Sequence, residues 1–127
     1  MSEKFKVVFV DDEEILCKLV KMIVRSKSAE VVAYSSPLLA IEACNETPPD
    51  LILTDFNMPG MDGVELANKM PKGIPTYLMT GGLPDEVQLG FKFDGILDKP
   101  FDFEKITEII DFWVKEKEDS IKIVALP

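Results

Sequence analysis

Five residues of the chain carry chemistry, and each stands at or just past the end of a short, mostly apolar run: Asp11 and Asp12, Asp55, Thr80 and Lys99. Three carboxylates brought together repel one another, so they either hold protons at raised pKa or recruit a divalent cation. A hard, oxygen-liganded ion such as Mg²⁺ suits them, and it keeps coordination places open for phosphate oxygens. A carboxylate in such a cluster can attack an activated phosphoryl group and form an acyl phosphate; Asp55 is placed for that role. Lys99 offers a point charge and Thr80 a hydroxyl to the transferring oxygens. Histidine is absent, so a Ser-His-Asp triad, His-ligated zinc and phosphohistidine on this chain are all excluded.

These residues matter only if the fold brings them to one place. Phe5 to Val10 is apolar apart from Lys6 and rich in β-branched residues, as expected of a strand buried on both faces. Glu13 to Arg25 follows at helical spacing through Ile15, Leu16, Leu19, Val20, Met22 and Ile23. A second strand is predicted over Glu30 to Tyr34, then a helix capped by Ser36, opened by Pro37 and running to about Asn45. Leu51 to Thr54 forms a third strand, and the turn-rich Asn57 to Gly63 loop leads to a short helix capped by Asp62, with Glu65 in capping-box position, and stopped by Pro71 and Gly73. A fourth strand spans Ile74 to Met79 and a fifth Gly95 to Asp98, separated by a weak helical segment between Gly81 and Gly90. Asp102 to about Lys117 is the last helix, with Phe103, Ile106, Ile109, Ile110 and Trp113 toward the core. The remaining 119–127, with Ile121, Ile123, Val124 and Leu126, is expected to be a tail to a 1–118 domain, packing on it, adding an edge strand or meeting a partner.

Five β–α units in alternation imply an α/β fold, a doubly wound open parallel sheet with helices on both faces. In such sheets ligands bind outside the carboxyl ends of the strands, where the five residues fall.

With those residues in place, the chain resembles the response-regulator receiver domains of two-component signalling. The matching pieces are Asp11-Asp12, the string Asp55-Phe56-Asn57-Met58-Pro59-Gly60-Met61-Asp62-Gly63, Thr80-Gly81, and Lys99-Pro100-Phe101, and the likeness extends over residues 5 to 118. The resemblance implies a flavodoxin-like strand order 2-1-3-4-5 and a stand-alone phosphoprotein resembling a chemotaxis regulator. Asp55 would accept a phosphoryl group from a sensor histidine kinase or phosphotransfer protein. Asp11, Asp12, Asp55 and the backbone carbonyl of Asn57 would hold Mg²⁺, Thr80 would turn toward the phosphate, Lys99 would pair with it, and the Lys99-Pro100 bond would be cis. Catalysis would extend only to the protein's own phosphorylation and dephosphorylation. Ile96 stands where the family often carries an aromatic. The short intervals from Asp55 to Thr80 and from Thr80 to Lys99 predict shortened third and fourth helices and a non-standard output face.

Composition narrows the partners. The 127 residues suit one domain, and 23 acidic against 14 basic residues give a net charge of −9, which repels a phosphate backbone and disfavours direct nucleic-acid binding. Output is then expected through an effector protein. No apolar run approaches the roughly 18 residues of a membrane span, and Cys17 and Cys44 lie in helical patterns as reduced core thiols, so a cytoplasmic protein without membrane insertion is expected. Three other readings compete. Asp55-x-Asn57 begins like a calcium loop, but Pro59 occupies a ligand position and Leu66 the place of the bidentate Glu. A flavin mononucleotide carrier would need a phosphate loop where Asp11 and Asp12 stand. A receiver-like scaffold working without phosphorylation has no use for the acidic cluster and Lys99.

Overall fold

The computed structural model describes residues 4–24, 28–82 and 90–125. Five parallel strands, β1 (Phe5–Val10), β2 (Ala29–Tyr34), β3 (Leu51–Asp55), β4 (Thr76–Thr80) and β5 (Gly95–Asp98), form one sheet in the order β2-β1-β3-β4-β5. The described helices are α1 (Glu14–Ile23), α2 (Pro37–Glu46), α3 (Gly63–Lys69) and α4 (Phe103–Ala125). This is the doubly wound, flavodoxin-like arrangement expected.

Alternation along the central strands builds two cores. Val7 and Phe9 of β1 join Leu51 and Leu53 of β3 and meet Cys17 and Val20 of α1 and Ile106 and Ile110 of α4. Val8, Val10 and Ile52 point the other way, toward Ala40 and Cys44 of α2 and Leu66 of α3. Each central strand is therefore apolar on both sides, which is why these runs show no hydrophobic-polar alternation. Cys17 and Cys44 are both buried and free.

Local signals place the element ends. Ser36 Oγ accepts the Leu39 N–H at 3.3 Å and starts α2, while Asp62 Oδ1 accepts the Glu65 N–H at 2.8 Å and starts α3. Helix α3 has 7 residues, short as expected, and stops before Pro71. Strand β4 begins at Thr76 rather than Ile74, because Pro75 has no N–H to give the ladder; its carbonyl instead accepts the Ile52 N–H at 2.9 Å. The weak helix expected between Gly81 and Gly90 falls on residues 83–89, outside those described. Helix α4 continues beyond Lys117 to Ala125, so the backbone of the expected tail is helical this far and adds no edge strand. No glycine or proline interrupts Glu118 to Ala125, and the helix propagates through them.

Candidate functional site

The carboxyl ends of β1, β3, β4 and β5 hold four of the five residues with little freedom. Asp11 leaves β1 with its N–H on the Tyr34 carbonyl at 3.1 Å, and Asp55 is the last residue of β3. Thr80 ends β4, and its carbonyl accepts the Lys99 N–H at 2.7 Å, so Thr80 and Lys99 are set in register by the sheet itself. The Lys99-Pro100 bond is cis.

Lys99 Nζ lies 2.8 Å from Asp11 Oδ2 and 3.1 Å from Asp55 Oδ1. Asp11 has no solvent exposure, and Asp55 has 6%. The other oxygen of Asp11 accepts the Glu13 N–H at 2.9 Å, tying the carboxylate to the entrance of α1. Asp12 is exposed at the mouth. One oxygen from each of Asp11, Asp12 and Asp55 falls within 4.8 Å of the others.

Charge is unbalanced in this cluster. Burial, then the charge of Asp11, pushes the Asp55 carboxyl up to about 6; Lys99 opposes the rise and Asp12 adds to it. For Lys99, burial works against the ammonium, but hydrogen bonds and charges from Asp11 and Asp55 outweigh it and hold its pKa above the ordinary lysine value. A single ammonium thus leaves the carboxylates short of positive charge. An all-oxygen donor set with that deficit fits a hard divalent cation such as Mg²⁺.

The remaining expected residues are placed as follows. Thr80 is buried, and its Oγ1 accepts the Gly82 N–H at 3.2 Å. Asn57 stands two residues beyond Asp55, exposed on the loop. Ile96 is 46% exposed on β5. Asp62, considered as a cap, acts as one.

Two supporting residues, Thr54 and Cys17, were not singled out for the site from sequence, and a third, Gly63, was named only as the end of the matching string. Thr54 and Cys17 direct donors at the carbonyls of Asp55 and Asp11, at 3.1 and 3.2 Å. Gly63 places α3 against the end of β3: a Cβ there would collide with the Asp55 carbonyl oxygen and stand 2.8 Å from Leu78 Cδ1. Its N–H donates to the Phe56 carbonyl at 2.8 Å. A hydroxyl inside the otherwise apolar β3 run is the one signal that pointed to Thr54.

Comparison with known proteins agrees with this arrangement. Residues 7–111 match the family model described as response regulator receiver domain, and the chain belongs to that family. It is 24% identical over 119 residues to the nisin biosynthesis regulatory protein NisR of Lactococcus lactis subsp. lactis, covering 90% of this chain and 52% of that protein. It is 28% identical over 107 residues to the transcriptional regulatory protein CseB of Streptomyces avermitilis, covering 80% of this chain and 46% of the other. The chain spans about half the length of the curated relatives it matches. Among solved structures, the chemotaxis response regulator CheY4 of Vibrio cholerae superposes with a TM-score of 0.72 at 26% identity, over 87% of this chain and 99% of that one. No helix among the described residues is long and apolar enough to cross a membrane.

Proposed function

We propose that this receiver is a phosphoacceptor switch, with Asp55 as the group that takes and loses the phosphoryl. The observation that carries the reading is the convergence of Asp55 with Asp11, Asp12 and Lys99 in one crevice. An Asp55 oxygen attacks the phosphorus of a donor phosphohistidine; an O–P bond forms as the P–N bond breaks, and the electron pair returns to the imidazole nitrogen, which takes up a proton. Lys99, already within 3.1 Å of Asp55, follows the charge onto the phosphoryl oxygens. Thr80 turns its hydroxyl from the Gly82 N–H toward the same oxygens. Asp11, Asp12, Asp55 and the Asn57 carbonyl would hold Mg²⁺, which when bound neutralises charge on the transferring group. Water attack at phosphorus later breaks the O–P bond and returns the carboxylate.

The two states differ in affinity for a protein partner only by what the phosphoryl contacts, chiefly Thr80 and Lys99. A histidine kinase or phosphotransfer protein in the cytoplasm supplies the group. Output passes through an effector protein; the net charge of −9 argues against this receiver touching nucleic acid itself. Residues 1–118 form the switch, and 119–125 extend its last helix. The test is incubation with a small acyl phosphate and Mg²⁺ followed by mass spectrometry of the intact protein. One added, base-labile phosphoryl is expected, absent in Asp55→Asn; uptake that persists in Asp55→Asn contradicts the assignment.

A further inference from the structure

At the ends of β1 and β3 each buried aspartate has its main-chain carbonyl held by a side-chain donor. The Thr54 hydroxyl donates to the Asp55 carbonyl at 3.1 Å, and the Cys17 thiol donates to the Asp11 carbonyl at 3.2 Å, with the Tyr34 carbonyl a more distant acceptor at 3.7 Å. Thr54 has no solvent exposure and Cys17 has 7%, so water cannot readily replace either donor. The two come from different elements, β3 itself and α1, yet they do the same thing to the two residues whose carboxylates share Lys99. A carboxylate is aimed by the peptide plane that carries it; the peptide after Asp55 keeps one sheet bond, from the Phe56 N–H to the Met79 carbonyl at 2.8 Å, and the Thr54 hydroxyl holds its carbonyl end.

The Asp55 carbonyl is confined further by α3, where Gly63 leaves no room for even a methyl group beside that oxygen. Thr54 from within the strand and Gly63 from the following helix therefore confine the carbonyl end of a peptide whose N–H end is held by β4. Rotation of that plane moves the Asp55 oxygens relative to Lys99 Nζ, which stands at 3.1 Å.

We infer that Thr54 and Cys17 are positioning residues of this site, acting through the carbonyls of Asp55 and Asp11 to aim the two carboxylates. The inference rests on the phosphoacceptor reading above. Removing an outer contact that orients a ligand group typically lowers metal affinity or activity about 10- to 100-fold. Thr54→Val keeps the shape and removes the hydroxyl, while Thr54→Ser keeps the donor; Cys17→Ala and Cys17→Ser form the parallel pair.

The experiment follows phosphoryl uptake by the full chain at saturating acyl phosphate and Mg²⁺, with thermal unfolding of each variant alongside. Thr54→Val and Cys17→Ala are each expected to lower the maximal uptake rate about tenfold, while both serine variants stay within about twofold of the parent and thermal midpoints do not follow the same order. A purely structural role predicts rates that track the midpoints, with no rescue by serine, and that result overturns the inference. Thr54→Val equal to the parent in rate overturns it too. Parent protein that takes up no phosphoryl at Asp55 removes the underlying reading, an outcome separate from equal rates in parent and variant.

Discussion

Lys99 and Asp11 form the tightest charge pair of the crevice, with Nζ 2.8 Å from an oxygen of a carboxylate that has no solvent exposure. The same ammonium reaches Asp55 at 3.1 Å, so one cation serves two buried anions.

Lys99→Ala is therefore expected to destabilise the metal-free protein. Removing one partner of a buried pair costs about 3–5 kcal/mol; with Lys99 side-chain exposure at 21%, the low end of that range is expected. Urea unfolding with and without Mg²⁺ checks it: the loss should shrink when the ion is added. An unchanged midpoint in both conditions contradicts the shared-cation picture.

Asp55→Asn should act in the opposite direction. The folded Asp55 carboxyl titrates at about 6 against an ordinary 3.8, so the fold favours its protonated form. Its contribution to stability is present in acid and is lost as pH rises from about 4 to about 6. At neutral pH without Mg²⁺ the Asn variant is expected to be more stable than the parent, by at most about 3 kcal/mol, and the gap should close below pH 4. Denaturation of both proteins from about pH 3 to about pH 7, roughly one unit either side of the two pKa values, measures it.

Helix α3 meets Asp55 through Gly63. Gly63→Ala forces a methyl group against the Asp55 carbonyl and Leu78. An overpacking cost of about 1–3 kcal/mol is expected, together with slower phosphoryl uptake, because the backbone that must shift carries the acceptor. A parent-like rate and midpoint would show that the close approach is not needed.

Removal of residues 119–127 should leave the switch intact. Lys117, which is retained, pairs with Asp50 at 2.7 Å and lies 5.9 Å above the Phe5 ring, whereas Glu118 to Lys122 are exposed. A stability change below about 1 kcal/mol is expected, with an unchanged uptake rate. A large loss of either would place the tail inside the domain.

The sheet and most of the site were legible because the strands are mostly apolar runs that give way to polar residues at their carboxyl ends. Val10 gives way to Asp11, Thr54 to Asp55, and Asp98 to Lys99, and the parallel order puts those stops side by side. Caps at Ser36 and Asp62 were legible for the same local reason, since a side-chain oxygen two or three residues from a free N–H needs no tertiary context. The end of α4 was not, because the charged stretch from Glu116 to Asp119 reads equally as a helix surface or as a tail. Lys99 joining Asp11 as well as Asp55 was hidden as well: spacing indicates that three groups converge, not which oxygen an ammonium takes. Thr54 and Cys17 act on carbonyls brought close by folding, and periodicity carries no record of that.

The most direct measurement is the chemical identity of residue 55 after exposure to a small acyl phosphate and Mg²⁺. Borohydride converts an aspartyl acyl phosphate to homoserine, and peptide sequencing by mass spectrometry then reads the modified position. Homoserine at position 55, absent when Mg²⁺ is chelated, is the expected result. Aspartate unchanged at 55, or homoserine at position 11 or 12 instead, contradicts the account.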